Sequence, residues 1–375
     1  MIPRFQAAQI AARLGDGRAI LVQGARQTGK TTLIRQLLEG RDQVLALTGD
    51  EAFTRQLLHE PDLARLRALV GAHQVLFLDE AQRVPDIGLT LKLLVDHFPS
   101  LQVIVTGSSA LELAERVHEP LTGRKWDFPL HPISWGELRA HTGALNARRQ
   151  LEQRLLYGMY PEVISRPGLE RELLAHLSGE SLTRDLLAWD GLRKPALLER
   201  LLQALALQMG QEVSLNELAG HLQASRGTIQ SYLELLEKAY VVFTLPPFLR
   251  NRRDEIRATR KVFFWDNGIR NALLAAFQPL GLRADTGALW ENFLVSERRK
   301  WLSHRRLPVR LGFWRTHAGA EVDLVEEQDG RLRAWEFKWS PARRANCPPS
   351  FRASYPEAEF HAIHRDNLDE LLPQE

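Results

Sequence analysis

One eight-residue segment limits the fold more than anything else in the chain. Gly24-Ala25-Arg26-Gln27-Thr28-Gly29-Lys30-Thr31 fits the pattern GxxxxGK[ST]. Before it stands an apolar run, Ala19–Gln23, that reads as a buried strand. After it comes Thr31–Glu39, whose apolar spacing is helical. A strand, a glycine turn and a helix N-terminus in that order aim successive backbone N–H groups at one point, which is what a phosphate requires. The glycines allow the turn and the close backbone approach. On this reading Gly24 through Thr32 line a nucleotide's phosphates, Lys30 reaches the β- and γ-phosphates, and the Thr31 hydroxyl binds Mg²⁺. The alternative is a purely structural glycine turn. It requires a chance match, below roughly one in a hundred for Gly at about 7% of residues.

A second segment agrees with the first. Val75-Leu-Phe-Leu-Asp79-Glu80 is an apolar strand ending in two carboxylates. There Asp79 would hold Mg²⁺ and Glu80 would polarise the attacking water. The run Leu101–Thr106 ends in Thr106-Gly107-Ser108-Ser109. Thr106 and Ser108 are candidates to sense the γ-phosphate, with N-capping of a helix by Ser108 or Ser109 as the plain alternative. Strand runs Gln43–Leu47 and Trp126–Leu130, with helical runs Phe53–Leu69, Ile87–His97 and Leu111–Arg116 between the strands, complete an alternation that predicts an α/β parallel sheet covered on both faces. In such a sheet the strand ends share one ligand-binding edge.

The rest of the chain reads as two further domains, giving residues 1–145, 146–250 and 251–375. The middle is Leu-rich and helical. The last has strands at Lys261–Trp265, Val309–Trp314, Glu321–Glu326, Arg331–Lys338 and Glu359–Ile363, with a helix from Gly287 to about Leu302. Composition narrows the setting. Lys+Arg 49 against Asp+Glu 46 is a net +3, which does not by itself select nucleic acid. The basic residues do gather at Arg250–Lys261 and Arg298–Arg310, and Arg suits phosphate recognition. The single Cys347 excludes an internal disulfide and a Cys-rich zinc site. No run approaches the ~20 apolar residues that span a bilayer, and the amino end lacks a leader's apolar stretch. The expectation is a soluble, cytoplasmic protein without a membrane partner.

In chain order, GARQTGKTT, LFLDEAQRVP, VIVTGSSA, LTGRKWDFPLHPISWGEL and YGMYPEVI resemble the prokaryotic AAA-type ATPase family. In that family the ATPase is fused to a conserved C-terminal domain of unassigned function. The likeness continues through KVFFWDNGIR, ALWENF, EVDLVEE and RLRAWEFKWS, so it spans nearly the whole chain. The resemblance implies ATP and Mg²⁺ as cofactors and a homo-oligomeric ring or spiral in which one subunit's arginine completes its neighbour's site. Arg124 is the first candidate for that finger and Arg116 the second. An intramolecular carboxylate partner is the alternative for Arg124.

Ser214–Tyr240 resembles a winged helix-turn-helix, with Ser214 and Ser225 as helix caps and Tyr240–Leu245 as a wing strand. Arg226, Thr228, Gln230 and Ser231 would face outward and could meet DNA, although Glu234 and Glu237 would repel phosphate; a packing module is the alternative. In the last domain, Asp329-Gly330 is a two-residue hairpin signal. With that loop, residues whose numbers sum to 659 lie opposite each other. Val322 and Leu324 then face Phe337 and Trp335, while Asp323 meets Glu336 and Glu321 meets Lys338. Glu336-Phe-Lys338 resembles the ExK of a PD-(D/E)xK, restriction-endonuclease-like core. The resemblance implies a divalent metal held by Asp323, Glu336 and Glu291, with Lys338 beside it; a solvated hairpin or a retired nuclease scaffold is the alternative. Together these readings point to a Mg·ATP-driven remodeller of branched, forked or single-stranded DNA such as a four-way junction. A nucleotide-dependent switch and a protein-remodelling ATPase are the rivals.

Overall fold

A computed structural model of the chain describes residues 2–60, 62–107, 121–181, 194–249, 259–343 and 345–373. Ser108, Ser109, Arg116, the expected helix Leu111–Arg116 and most of Arg250–Arg260 lie outside these. The chain packs as two compact units, one built on Met1–Pro132 and the other mainly on Ile133–Thr183, Leu192–Glu237 and Val241–Glu375.

In the first unit, strands β1 (Ala19–Gln23), β2 (Val44–Thr48), β3 (Val75–Asp79), β4 (Gln102–Gly107) and β5 (Lys125–Pro129) form one parallel sheet in the order β2-β3-β4-β1-β5. Alternate residues serve opposite faces. Ile20 and Val22 pack with Leu33 and Ile34 of helix Lys30–Leu38. Leu21, Leu76 and Leu78 pack with Leu91 and Leu94 of helix Ile87–His97. Both faces are therefore dry, as a parallel sheet requires. The single helix expected over Phe53–Leu69 is instead two, Ala52–Leu58 and Leu63–Val70. The sequence carries Pro61 between them, and Asp62 caps the second by accepting from Ala64 N at 3.0 Å.

In the second unit, β6 (Glu212–Val213), β7 (Val242–Leu245) and β8 (Arg260–Phe264) make an antiparallel sheet in the order β6-β8-β7. Helices Leu215–Leu222 and Arg226–Lys238 lie between β6 and β7 in sequence. Ser214 and Ser225 cap them, accepting from Glu217 N (3.3 Å) and Thr228 N (3.1 Å). The second helix buries Ile229, Tyr232, Leu235 and Leu236, whereas Leu233, which the sequence spacing groups with Ile229 and Leu236 on one apolar stripe, is half-exposed. Sequence spacing assigned β8 to the last domain. Its ladder partners place it in this sheet instead, with Phe243 opposite Phe263.

The remaining strands, β9 (Arg310–Arg315), β10 (Glu321–Gln328), β11 (Arg331–Phe337) and β12 (Glu359–Ile363), are ordered β12-β11-β10-β9. The β10–β11 hairpin has the 659 register, Leu324 opposite Trp335 and Gln328 opposite Arg331. Asp329 (φ 51°) and Gly330 (φ 79°) take the left-handed conformations that a tight two-residue turn needs. The hairpin register predicts every apolar residue on the face opposite the carboxylates, and that expectation fails here. Val325 lies opposite Ala334, both are fully buried, and both join Trp314 and Phe351 in a core, so the carboxylate-bearing face is also apolar toward the turn. A bulge between Val322 and Val325 on the β9 side re-aims the strand at Asp323. Helix Thr286–His304 packs with this unit and has little amphipathic character: Asn292, Ser296, Glu297, Arg298, Lys300 and His304 are all buried. No helix among the described residues is long and apolar enough to cross a membrane.

Candidate functional site

The loop between β1 and helix Lys30–Leu38 stands at the C-terminal edge of the parallel sheet. Gln27 (φ 58°) and Gly29 (φ 93°) take left-handed conformations that fold it back on itself. Gly24 is required for a different reason: a Cβ there would collide with the Leu130 carbonyl just past β5. Thr28, fully buried, donates its hydroxyl to Ala25 O at 2.9 Å. The Lys30 ammonium, also buried, donates to the carbonyls of Gly24 (2.9 Å) and Ala25 (2.8 Å). Arg26 is half-buried, and Gln27 and Thr32 are exposed.

Asp79 ends β3 beside the loop. The Thr31 hydroxyl lies 3.0 Å from each of its carboxylate oxygens, and the Thr106 hydroxyl of β4 donates to Oδ1. The next residue, Glu80, is left-handed (φ 49°), and its Oε2 accepts from Gln82 Nε2 at 2.5 Å. The hydroxyl of Thr31 and the carboxylate of Asp79 are hard oxygen donors of the kind Mg²⁺ takes. They meet at the start of a helix, where backbone N–H groups are unused, so the residues present fit Mg·ATP. Sequence reasoning missed Arg4. Its guanidinium donates to Thr28 O and His131 O, each at 2.6 Å, clamping the loop to the end of β5. No local motif marks a residue whose partners lie 24 and 127 positions away.

The second unit also brings its expected residues together, but around a lysine the sequence did not single out. Lys261 of β8, 2% exposed, bonds Glu291 Oε1 at 2.9 Å and Glu321 Oε1 at 2.5 Å. Lys338 Nζ holds Glu336 Oε1 at 2.6 Å, and Phe337 N donates to Asp323 Oδ2 at 2.7 Å. Glu336 Oε2 is buried without a hydrogen-bond partner among the described residues. Burial, with Glu291 and Glu336 alongside, pushes the Asp323 carboxyl well above the usual range. Burial raises Glu291 too, against the pull of Lys261. For Lys261 burial opposes the charge, yet Glu291, Asp323 and Glu321 together hold its pKa above that of an ordinary lysine. Lys338 is raised in the same way, mainly by Glu336. Among the described residues no group of three or more His, Cys, Asp or Glu is disposed to hold a metal ion. The donors here do not fit a divalent ion as they stand.

Comparison with known proteins bears on the whole chain. A family model described as an AAA domain matches residues 16–139, and models described as domains of unknown function match 148–280 (DUF8612) and 286–367 (DUF4143). The uncharacterized protein Rv2008c of Mycobacterium tuberculosis is 31% identical over 343 residues, covering 89% of this chain and 73% of that protein. This chain belongs to the same family as that protein, with an AAA domain at residues 16–139. An uncharacterized protein of Methanocaldococcus jannaschii, MJ1637, is 25% identical over 297 residues, 68% of this chain and 62% of that one. A solved Walker-type ATPase of Pyrococcus abyssi is similar at 16% identity and a TM-score of 0.47, over 73% of this chain and 96% of that chain.

Two other expectations for this AAA-family chain meet their geometry. Arg124 precedes β5, at the sheet edge opposite the loop, where its carbonyl accepts from Ala19 N at 2.9 Å. Its guanidinium bonds Asp96 at 2.6 Å, the intramolecular partner that the sequence left open. The basic run Arg298–Arg310 is largely spent inside the protein, which corrects its reading as a phosphate-binding stripe. Arg298 makes a two-pronged, buried pair with Glu326 (2.7 and 2.8 Å), and Lys300 holds Glu297 at 2.7 Å. Arg299 lies over Phe243 and Trp265, where burial lowers its pKa to about 10. Arg310 pairs with Glu327 at 2.6 Å, which leaves Arg305 and Arg306 as the exposed cations of the run.

Proposed function

We propose that this AAA-family chain binds Mg·ATP at Gly24–Thr31 and hydrolyses it. One observation carries the reading: Lys30, Thr31, Asp79, Glu80 and Thr106 converge at one sheet edge, joined by Thr31–Asp79 bonds of 3.0 Å. Bound nucleotide supplies the phosphoryl group, and Mg²⁺ supplies positive charge beside it. Loop N–H groups and Lys30 bind phosphate oxygens and stabilise the charge that develops in transfer. Thr31 and Asp79 would hold the cation, with Thr106 keeping the Asp79 carboxylate in place. Glu80, steadied by Gln82, orients the attacking water and accepts its proton. The test is phosphate release in wild type and Lys30→Ala, with and without Mg²⁺; equal turnover in the variant overturns the reading.

Turnover serves remodelling of nucleic acid, in branched, forked or single-stranded DNA, by a homo-oligomer whose sites lie at subunit boundaries. The order β6, two capped helices, β7 and β8, with β8 central in the sheet, supports a winged helix-turn-helix in this part of the chain. Arg226, Gln230 and Ser231 are exposed on its second helix. A second reading, an ATP-dependent switch acting on DNA or protein through this module, is favoured by the internal engagement of Arg298, Arg299 and Arg310. ATPase assays with single-stranded, duplex and four-way-junction DNA separate the two, because a switch turns over slowly with every form. Lys261 and Lys338 already engage the C-terminal carboxylates, which weighs against metal-dependent cleavage there.

A further inference from the structure

We propose that Lys261 is the resident cation of the Glu291–Glu321–Asp323–Glu336 cluster, in the place a divalent metal ion would need. Four observations converge on this. Its ammonium touches carboxylates from two separate elements, helix Thr286–His304 and β10, at 2.9 and 2.5 Å. It is 2% exposed, so moving it into solvent to make room for an ion would require its surroundings to open. Two of the cluster's other oxygens are also served, Glu336 Oε1 by Lys338 and Asp323 Oδ2 by Phe337 N, while Glu336 Oε2 has no partner among the described residues. Finally, Lys261 comes from β8, the middle strand of the other sheet in this unit, so the pairing ties the β6-β8-β7 sheet to β10.

A divalent ion entering here would have to displace an ammonium already paired with two carboxylates, and would lie beside a second one on Lys338. Like charges so close, in a buried setting where water screens weakly, oppose that entry. The carboxylate pattern of β10 and β11 therefore persists as a joint held by two lysines rather than by a metal ion. Removing Lys261 converts the joint into an ion site: Glu291 and Glu321 lose their counter-charge and face inward as hard oxygen donors.

The test is calorimetric titration of the full-length, nucleotide-free protein with MnCl₂. Wild type and Asp323→Asn should give the same isotherm, because no ion enters the cluster in either. Lys261→Met should gain a Mn²⁺ site at least ten-fold tighter than any in wild type, lost again in Lys261→Met/Asp323→Asn. The unfolding temperature should rise with MnCl₂ more in Lys261→Met than in wild type, and the excess should vanish in Lys261→Met/Asp323→Asn. A Mn²⁺ site in wild type that disappears with Asp323→Asn overturns the proposal, and that comparison holds even where Lys261→Met fails to fold. A folded Lys261→Met without the new site overturns it as well.

Discussion

At Lys30 the ammonium already rests on two loop carbonyls, so phosphate binding exchanges one set of acceptors for another of higher charge. Lys30→Ala removes the cation and should abolish measurable ATP turnover. Glu80→Gln keeps the shape and the Gln82 contact but loses the base. It should bind ATP normally while hydrolysis falls by roughly 10²- to 10⁴-fold, read as single-turnover phosphate release beside nucleotide affinity. Arg124 calls for a paired test because it is bonded to Asp96. If it reaches a neighbouring subunit's nucleotide, Arg124→Ala lowers turnover, whereas Asp96→Asn, which releases the guanidinium, does not. Equal effects of the two variants on stability and turnover would assign Arg124 to the ion pair alone.

At the level of elements, local chemistry was legible and remote pairing was not. The loop, the acidic end of β3 and the β10–β11 register could be read because each is dictated by neighbours in sequence: a glycine turn, an apolar run ending in charge, a two-residue hairpin. Arg4, Lys261 and the fate of Arg298 could not, since their partners are far along the chain and only the fold joins them. Arg298 shows the energetic side. Its carboxylate partner, Glu326, is itself buried, so Arg298→Ala strands a charge and should cost about 3–5 kcal/mol in urea unfolding. A salt-dependent surface contact would show no such loss. At the start of helix Thr286–His304, burial alone would raise the Asp285 carboxyl, but bonds from Arg283 and Arg270 outweigh it and hold the pKa to about 2. A depressed acid stabilises the fold above its unfolded pKa of about 3.9, and that contribution fades as pH falls toward about 2. Urea midpoints should accordingly drop more steeply between pH 4 and 2 in wild type than in Asp285→Asn.

For the whole molecule, the DNA reading makes a quantitative demand. Each phosphate neutralised adds about 0.9 to the slope of log affinity against log salt. Arg226→Gln, an exposed change on helix Arg226–Lys238, should flatten that slope by about one such unit. An unchanged slope removes the helix from the interface. Helix Thr286–His304 has a consequence of another kind. Its polar groups are answered by distant segments: Asn292 by Phe264, Glu297 by Trp135, Arg298 by Glu326 and by Leu371 O. Lacking a clear oily stripe, it has little to hold it together by itself. During synthesis, Trp135 and Phe264 leave the ribosome before this helix does, and Glu326 and Leu371 only afterwards. The contacts of this helix are therefore complete only once Leu371 has emerged.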